Sequence, residues 1–96
     1  MTWTWLTQVE PNENKDRFYA VGVQPTLLDP FALIRLWGSR STSAQRMMIE
    51  PYPDPETARM AADRLICEKV RGGYRIVAGH VPAAIGAVPG GRRTPG

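Results

Sequence analysis

Apolar and polar residues alternate along three segments in the first half of the chain, and this period of two predicts β-strands. The three segments are residues 17–24, 31–37 and 45–50. The links between them are short and rich in turn-forming residues, which favours antiparallel neighbours. Weaker strand patterns at 5–9 and 74–77 bring the expected sheet to four or five strands.

The pattern becomes helical between about residues 54 and 71. Asp54 is expected to cap the N-terminus, Pro55 suits the first helical position, and two glycines after Arg71 end the helix. One apolar stripe recurs at spacings of three and four: Ala58, Ala61, Ala62, Leu65, Ile66 and Val70. The predicted fold class is therefore α+β, a single antiparallel sheet packed on one helix.

The C-terminal segment 79–96 contains five glycines, three prolines and no aromatic residue. Such a composition favours neither a packed core nor a strand ladder. We therefore predict a folded domain over residues 1–78 and a flexible tail over 79–96. His80 falls in this tail and is expected to have no rigid partner.

Composition narrows the classes of function. A chain of 96 residues with 43% hydrophobic residues suits one small folded domain. One cysteine and one histidine argue against a disulfide framework and a multi-ligand metal site. Cys67 lies within the helix with no histidine to activate it, so packing is its expected role. We expect no catalytic residues, no cofactor, no membrane span and a cytoplasmic location.

The charge is mildly basic, with a net value of +3. Arg92 and Arg93 in the predicted tail account for two of these charges, which leaves +1 on residues 1–78. No segment forms a charge block. Any basic surface must therefore be assembled by folding.

The most informative stretch is residues 35–46, where a strand ends in Trp37, a loop carries Arg40, and the next strand opens with Gln45 and Arg46. An exposed indole beside guanidinium groups can stack on a base or sugar while the cations hold phosphate. A tryptophan that closes a strand more often fills the core. The pattern leaves both roles open.

The chain resembles the WGR domain family, named for its Trp-Gly-Arg motif, over roughly residues 6–77. The resemblance rests on several pieces in matching order and spacing: Asn14-Lys15-Asp16-Arg17-Phe18-Tyr19, Val23-Gln24-Pro25 with Leu28, Leu33-Ile34-Arg35-Leu36-Trp37-Gly38, Gln45, and Glu68-Lys69-Val70-Arg71-Gly72-Gly73-Tyr74. Here Ser39 occupies the position of the motif arginine, and Arg40 follows one residue later.

The resemblance implies a compact α+β domain. In DNA-damage-responsive poly(ADP-ribose) polymerases this domain binds DNA near a strand break, and bacteria carry it in small or differently fused proteins. By position, Trp37 would stack on a terminal nucleotide and Gly38 would allow close approach of the backbone. Gln45 and Arg46 would belong to the strand after the loop. Apart from the resemblance, the charge of Arg35, Arg40 and Arg46 near Trp37 leads us to expect that these three side chains contact phosphates.

The sequence favours two functions over a third, a small-ligand binder, for which it reveals no pocket. The first is a non-catalytic module that binds nucleic acid, such as DNA ends or nicks, through Trp37 and the nearby arginines. The second is a protein-interaction module that uses the Trp37 surface, the exposed helix face or the pair Trp3 and Trp5. That pair shares one face of an extended segment, where packing on the sheet is favoured over an exposed patch.

Overall fold

The computed structural model describes residues 2–10, 15–40 and 44–86. Five strands and two helices follow one another in these ranges. They are β1 (Thr2–Glu10), β2 (Lys15–Gln24), β3 (Phe31–Ser39), β4 (Gln45–Tyr52), α1 (Pro55–Arg71), β5 (Arg75–Gly79) and α2 (Ala83–Gly86). The strands and the long helix lie where the periodicity predicts them, with ends that differ by a few residues.

The five strands form one sheet in the order β4-β3-β2-β1-β5. Every neighbouring pair is antiparallel. The first four strands are a meander, since each pairs with the next strand along the chain. β5 returns after α1 to the other side of β1. The predicted α+β class, with one antiparallel sheet and one helix packed on it, is confirmed.

The core lies between one face of the sheet and α1. Buried sheet residues and buried helix residues meet there: Leu6, Tyr19, Val21 and Leu33 from the strands, and Ala62, Leu65 and Ile66 from α1. Burial of each large aliphatic side chain contributes about 1.5–3 kcal/mol. The predicted apolar stripe of the helix is thus the stripe that packs on the sheet.

The other sheet face carries Trp3 and Trp5, whose rings stack with centroids 6.3 Å apart. Trp3 lies over Gly22, its cross-strand partner, and its indole Nε1 donates to the Gln24 side-chain oxygen at 3.3 Å. Trp5 is more exposed, as are Met47 and Ile49 farther across this face. Each of the two roles expected for this pair is therefore taken by one tryptophan. Trp3 packs on the sheet, and Trp5 contributes to an exposed apolar patch.

The domain continues beyond the boundary predicted at residue 78. Gly79 ends β5, the His80 N–H donates to the Trp3 carbonyl at 3.0 Å, and Thr4 Oγ1 donates to the His80 carbonyl at 2.7 Å. Pro82 is fully buried. Residues 79–86 therefore pack against β1 and the core, which their composition did not indicate. Residues 87–96 of the predicted tail lie outside the described residues.

His80 also corrects an expectation. Its imidazole Nε2 lies 3.3 Å from Asp63 Oδ1 on α1. The absence of a rigid partner, expected from the glycine-rich composition, is therefore wrong. The pairing depends on contacts between distant parts of the chain, which local composition does not encode.

The close fit between Gly22 and Trp3 generates a first prediction. A Cβ at residue 22 would collide with the indole, so we expect Gly22→Ala to lower the free energy of unfolding by about 1–3 kcal/mol. In a Trp3→Ala background the obstacle is gone, and the same substitution should cost much less. Urea unfolding of the four chains in this double-mutant cycle measures the coupling. Equal costs in both backgrounds would contradict the packing.

The N-terminus of α1 generates a second prediction. The Asp54 carboxylate accepts hydrogen bonds from the Thr57 backbone N–H at 2.7 Å and from its hydroxyl at 2.8 Å. The backbone bond first, and then the hydroxyl bond, lower the pKa of Asp54 below its usual 3.8. The stabilisation that accompanies ionisation is therefore complete above pH 3.8 and disappears as the pH falls through the lowered value.

Asp54→Asn keeps a capping side chain without this titration. We expect its stability deficit relative to the natural chain to shrink as the pH is lowered through this window. Thermal unfolding from neutral pH down to the lowest pH at which both chains stay folded provides the measurement. A deficit that is constant with pH would show that the charge of Asp54 does not stabilise the helix.

Candidate functional site

Three aromatic rings meet on the helix-covered face of the sheet, beside the C-terminal end of α1. Tyr19 and Trp37 are opposite each other in β2 and β3, and their rings stack with centroids 5.6 Å apart and an angle of 14° between planes. Tyr74 meets the edge of Tyr19 at 6.1 Å. We call Tyr19, Trp37 and Tyr74 the aromatic platform.

The end of the helix positions the third ring. The Gly72 N–H donates to the carbonyls of Glu68 and Lys69, and the Tyr74 N–H donates to the Lys69 carbonyl at 2.9 Å. Gly73 adopts a φ of 108°, a conformation that glycine reaches without steric cost. The chain therefore turns back on the last turn of α1, and Tyr74 packs against the sheet.

Cations surround the aromatic platform. Lys69 Nζ lies 4.5 Å from the centre of the Tyr19 ring and 6.0 Å from that of Tyr74, within the range of a cation–π interaction. Arg17 and Arg35 line the same open cleft of about 470 Å³, together with the platform, Gly38, Ser39 and Lys69. The cleft thus combines flat aromatic surface with three positive side chains.

Arg35 is held in place by Glu50 on β4, with Nε 3.0 Å from the carboxylate. Partial burial by itself lowers the pKa of Arg35, but interactions with the Tyr19 hydroxyl and with Glu50 outweigh it and raise the pKa above its usual value. The guanidinium is therefore charged at any physiological pH. Glu50 also offsets part of that charge, which makes Arg17 and Lys69 the less compensated cations of the cleft.

The structure brings together some of the residues singled out from the sequence. Trp37 is half-buried rather than enclosed, so one part of the indole faces the cleft. Arg35 lies in the same cleft. Arg46 is the cross-strand partner of Trp37 in β4, and its exposed side chain borders a smaller hollow beside the indole.

Arg40 is directed elsewhere. Its backbone N–H donates to the Asp16 carbonyl at 2.7 Å, and its Nε lies 3.6 Å from the Asp16 carboxylate. It lines a cleft on the opposite side of the sheet with Trp5 and Phe18. The structure therefore does not bring Arg40 to Trp37 together with Arg35 and Arg46. Gln45 borders hollows on both sides of the β3–β4 hairpin.

Gly38 allows a close approach, but the approaching group belongs to the chain itself. A Cβ at this position would lie 2.5 Å from the Ala44 carbonyl oxygen and 3.0 Å from the Gln45 Cα. Strand β4 thus occupies the space that a side chain would need. The glycine serves the hairpin that holds Trp37 in position.

Five residues that line the cleft were not among the site residues predicted from the sequence: Arg17, Tyr19, Ser39, Lys69 and Tyr74. The alternation of side chains already indicated which face each ring occupies. Tyr19 shares a face of its predicted strand with Val21, and Trp37 shares a face of its predicted strand with Leu33. The register that makes them partners could not be inferred from the two strands alone. Lys69 reaches the rings only through the packing of α1.

Two kinds of site are absent from the described part of the chain. Ranges 2–10, 15–40 and 44–86 contain no group of three or more His, Cys, Asp or Glu side chains arranged to hold a metal. In the same ranges, neither helix is both long and apolar enough to cross a membrane.

Comparison with known proteins adds a family. The sequence model of the WGR domain family matches residues 3–80, from β1 through β5. The chain is also 30% identical over 71 residues to the uncharacterised protein y4dW of Sinorhizobium fredii (strain NBRC 101917 / NGR234), which covers 74% of this chain and 34% of that protein. The chain thus spans about a third of that relative's length. No solved structure matches it with statistical significance.

Proposed function

Because the chain belongs to the WGR domain family, we propose that it is a non-catalytic module that binds nucleic acid, at DNA ends or nicks, through the aromatic platform. The observation that carries this proposal is the stacked pair Tyr19 and Trp37 in an open cleft lined by Arg17, Arg35 and Lys69. Flat rings and cations within one cleft match the two chemical features of a nucleotide.

Stacking accounts for the preference for interrupted DNA. Inside a continuous duplex, the neighbouring bases cover both faces of each base pair. At an end or a nick one face is uncovered, and an aromatic side chain can pack on it or on the adjoining sugar. Such stacking contributes about 1–3 kcal/mol per base. Trp37 suits this role because it is backed by Tyr19 and open on the side of the cleft.

The cations account for affinity to the phosphate backbone. If Arg17, Arg35 and Lys69 neutralise three phosphates, the logarithm of the binding constant should fall with the logarithm of salt concentration with a slope of about −2 to −3. Since residues 1–78 carry a net charge of only +1, this attraction is local to the cleft. Arg46, beside Trp37 in β4, stays a further candidate for phosphate contact.

The proposal predicts a selective effect of Trp37→Ala. We expect it to weaken binding to a nicked or blunt-ended duplex by about tenfold or more at low salt, with a smaller change for closed circular DNA. Lys69→Met, which keeps an apolar stem over the Tyr19 ring, should reduce the salt slope by about one. Fluorescence anisotropy titrations with labelled duplexes, and gel shifts with circular DNA, measure both effects.

Trp5→Ala is the matched control, since it removes the same residue type from the opposite face of the sheet. It should leave binding unchanged, and circular dichroism of each variant establishes that the fold is intact. The proposal fails if the natural chain does not bind DNA at low salt, or if Trp5→Ala weakens binding as much as Trp37→Ala. Tighter binding to single-stranded RNA in the same titration would replace DNA by RNA as the ligand.

A further inference from the structure

The two edges of the sheet differ in how they are protected. An edge strand presents unpaired backbone N–H and C=O groups that another strand can join, and natural edges are blunted by short length and by bulges. β5 has both devices, since it is five residues long and its pairing with β1 shifts register between Trp5 and Leu6. β4 has neither of these two devices, because it pairs with β3 over eight residues without a shift, and its Pro51 protects only the last part of the strand.

β4 also exposes three large apolar side chains to solvent. Met47, Met48 and Ile49 are 62%, 45% and 51% exposed. Arg46 precedes these three residues along β4 and Glu50 follows them. The side chains of Arg46 and Glu50 lie on the sheet face that carries α1. Glu50 is bound by Arg35, whereas Arg46 has no ion pair within residues 2–10, 15–40 and 44–86. We call residues 45–50 the β4 edge.

We propose that the β4 edge binds a second copy of this chain, antiparallel and around a two-fold axis, with Met48 opposite Met48 of the second copy. In this register each Arg46 lies opposite a Glu50, and each Met47 lies opposite an Ile49. One strand therefore supplies both members of every complementary pair. This self-complementarity is what a two-fold interface between identical chains requires.

The arrangement of charges selects this register. A shift of two residues would place Arg46 opposite Met48 or Tyr52, depending on its direction, and in both cases leave Glu50 without a cation from the second copy. A shift of one residue would turn the second copy over, so that its apolar Met47 and Ile49 faced the side of the sheet that carries α1. Pro51, which lacks an N–H group, limits the useful pairing to the β4 edge.

Glu50 can accept a second guanidinium while it remains bound to Arg35. Within the described part of the chain its carboxylate accepts one hydrogen bond, from Arg35 Nε at 3.0 Å, and an ionised carboxylate offers about four acceptor positions. Arg46 of the second copy would thus complete a row of Arg35, Glu50 and Arg46 across the interface. Cross-strand pairs of opposite charge stabilise a sheet, and like charges in the same places destabilise it.

The test uses complementary charge reversals. We expect the natural chain to reach twice its monomer mass of 10.7 kDa in sedimentation equilibrium at concentrations up to about 1 mM. Arg46→Glu and Glu50→Arg should each raise the dissociation constant of the dimer about tenfold or more. An equimolar mixture of the two variants should regain the dimer, because each reversed charge then meets an opposite charge.

Arg59→Glu, at an exposed position of α1, makes the same charge change away from the β4 edge and should leave the dimer intact. Hydrogen exchange provides a structural readout: amides of residues 45–50 should become more protected as the concentration rises. The proposal is overturned if the natural chain is monomeric or if the two variants dimerise as it does. It is also overturned if the mixture stays monomeric or if the dimer shows no added protection at the β4 edge. Circular dichroism distinguishes loss of the dimer from loss of the fold.

Discussion

The antiparallel register between β2 and β3 is the constraint on which the candidate site depends. It places Tyr19 opposite Trp37 and Val21 opposite Arg35. Because successive side chains of a strand point to opposite faces, a slip of one residue would turn one strand over. It would separate the two rings and expose either Val21 of β2 or Leu33 of β3. Burial of Val21 and Leu33 between the sheet and α1 therefore stabilises the register and the stacked pair together. The geometry of the candidate site is therefore determined by the packing of the core.

Much of this fold could be predicted from local patterns, and the reasons are physical. A period of two identifies a strand with one buried face, and the stripe from Ala58 to Val70 identifies the helix with its packing side. Asp54 and the glycines after Arg71 supply strong end signals, since capping chemistry depends on only a few neighbouring residues. These features follow from local sequence, and they were predicted correctly.

The remaining features depend on contacts between distant segments. Residues 79–86 look flexible by composition, yet the carbonyl of Trp3 and the hydroxyl of Thr4 bind His80 and hold this segment against β1. Arg40 is near Trp37 in sequence but is paired with Asp16 on β2. Lys69 lies 32 residues after Trp37, and only helix packing brings it over Tyr19. Proximity along the chain to Trp37 therefore identified Arg35 as a cation of the cleft, but not Arg17 or Lys69.

Glu50 connects the two surfaces for which functions are proposed. Its carboxylate binds Arg35, which lines the cleft beside Trp37, and it lies on β4 at the open edge of the sheet. In a two-fold pairing of β4 strands, both copies of α1 lie on the same side of one continuous sheet, and so do both aromatic platforms. A nucleic acid long enough to reach both clefts would then bind the second one intramolecularly, which raises overall affinity without a new kind of contact. The small net charge of the domain makes this gain consequential, because a single cleft with three cations offers only a modest electrostatic attraction.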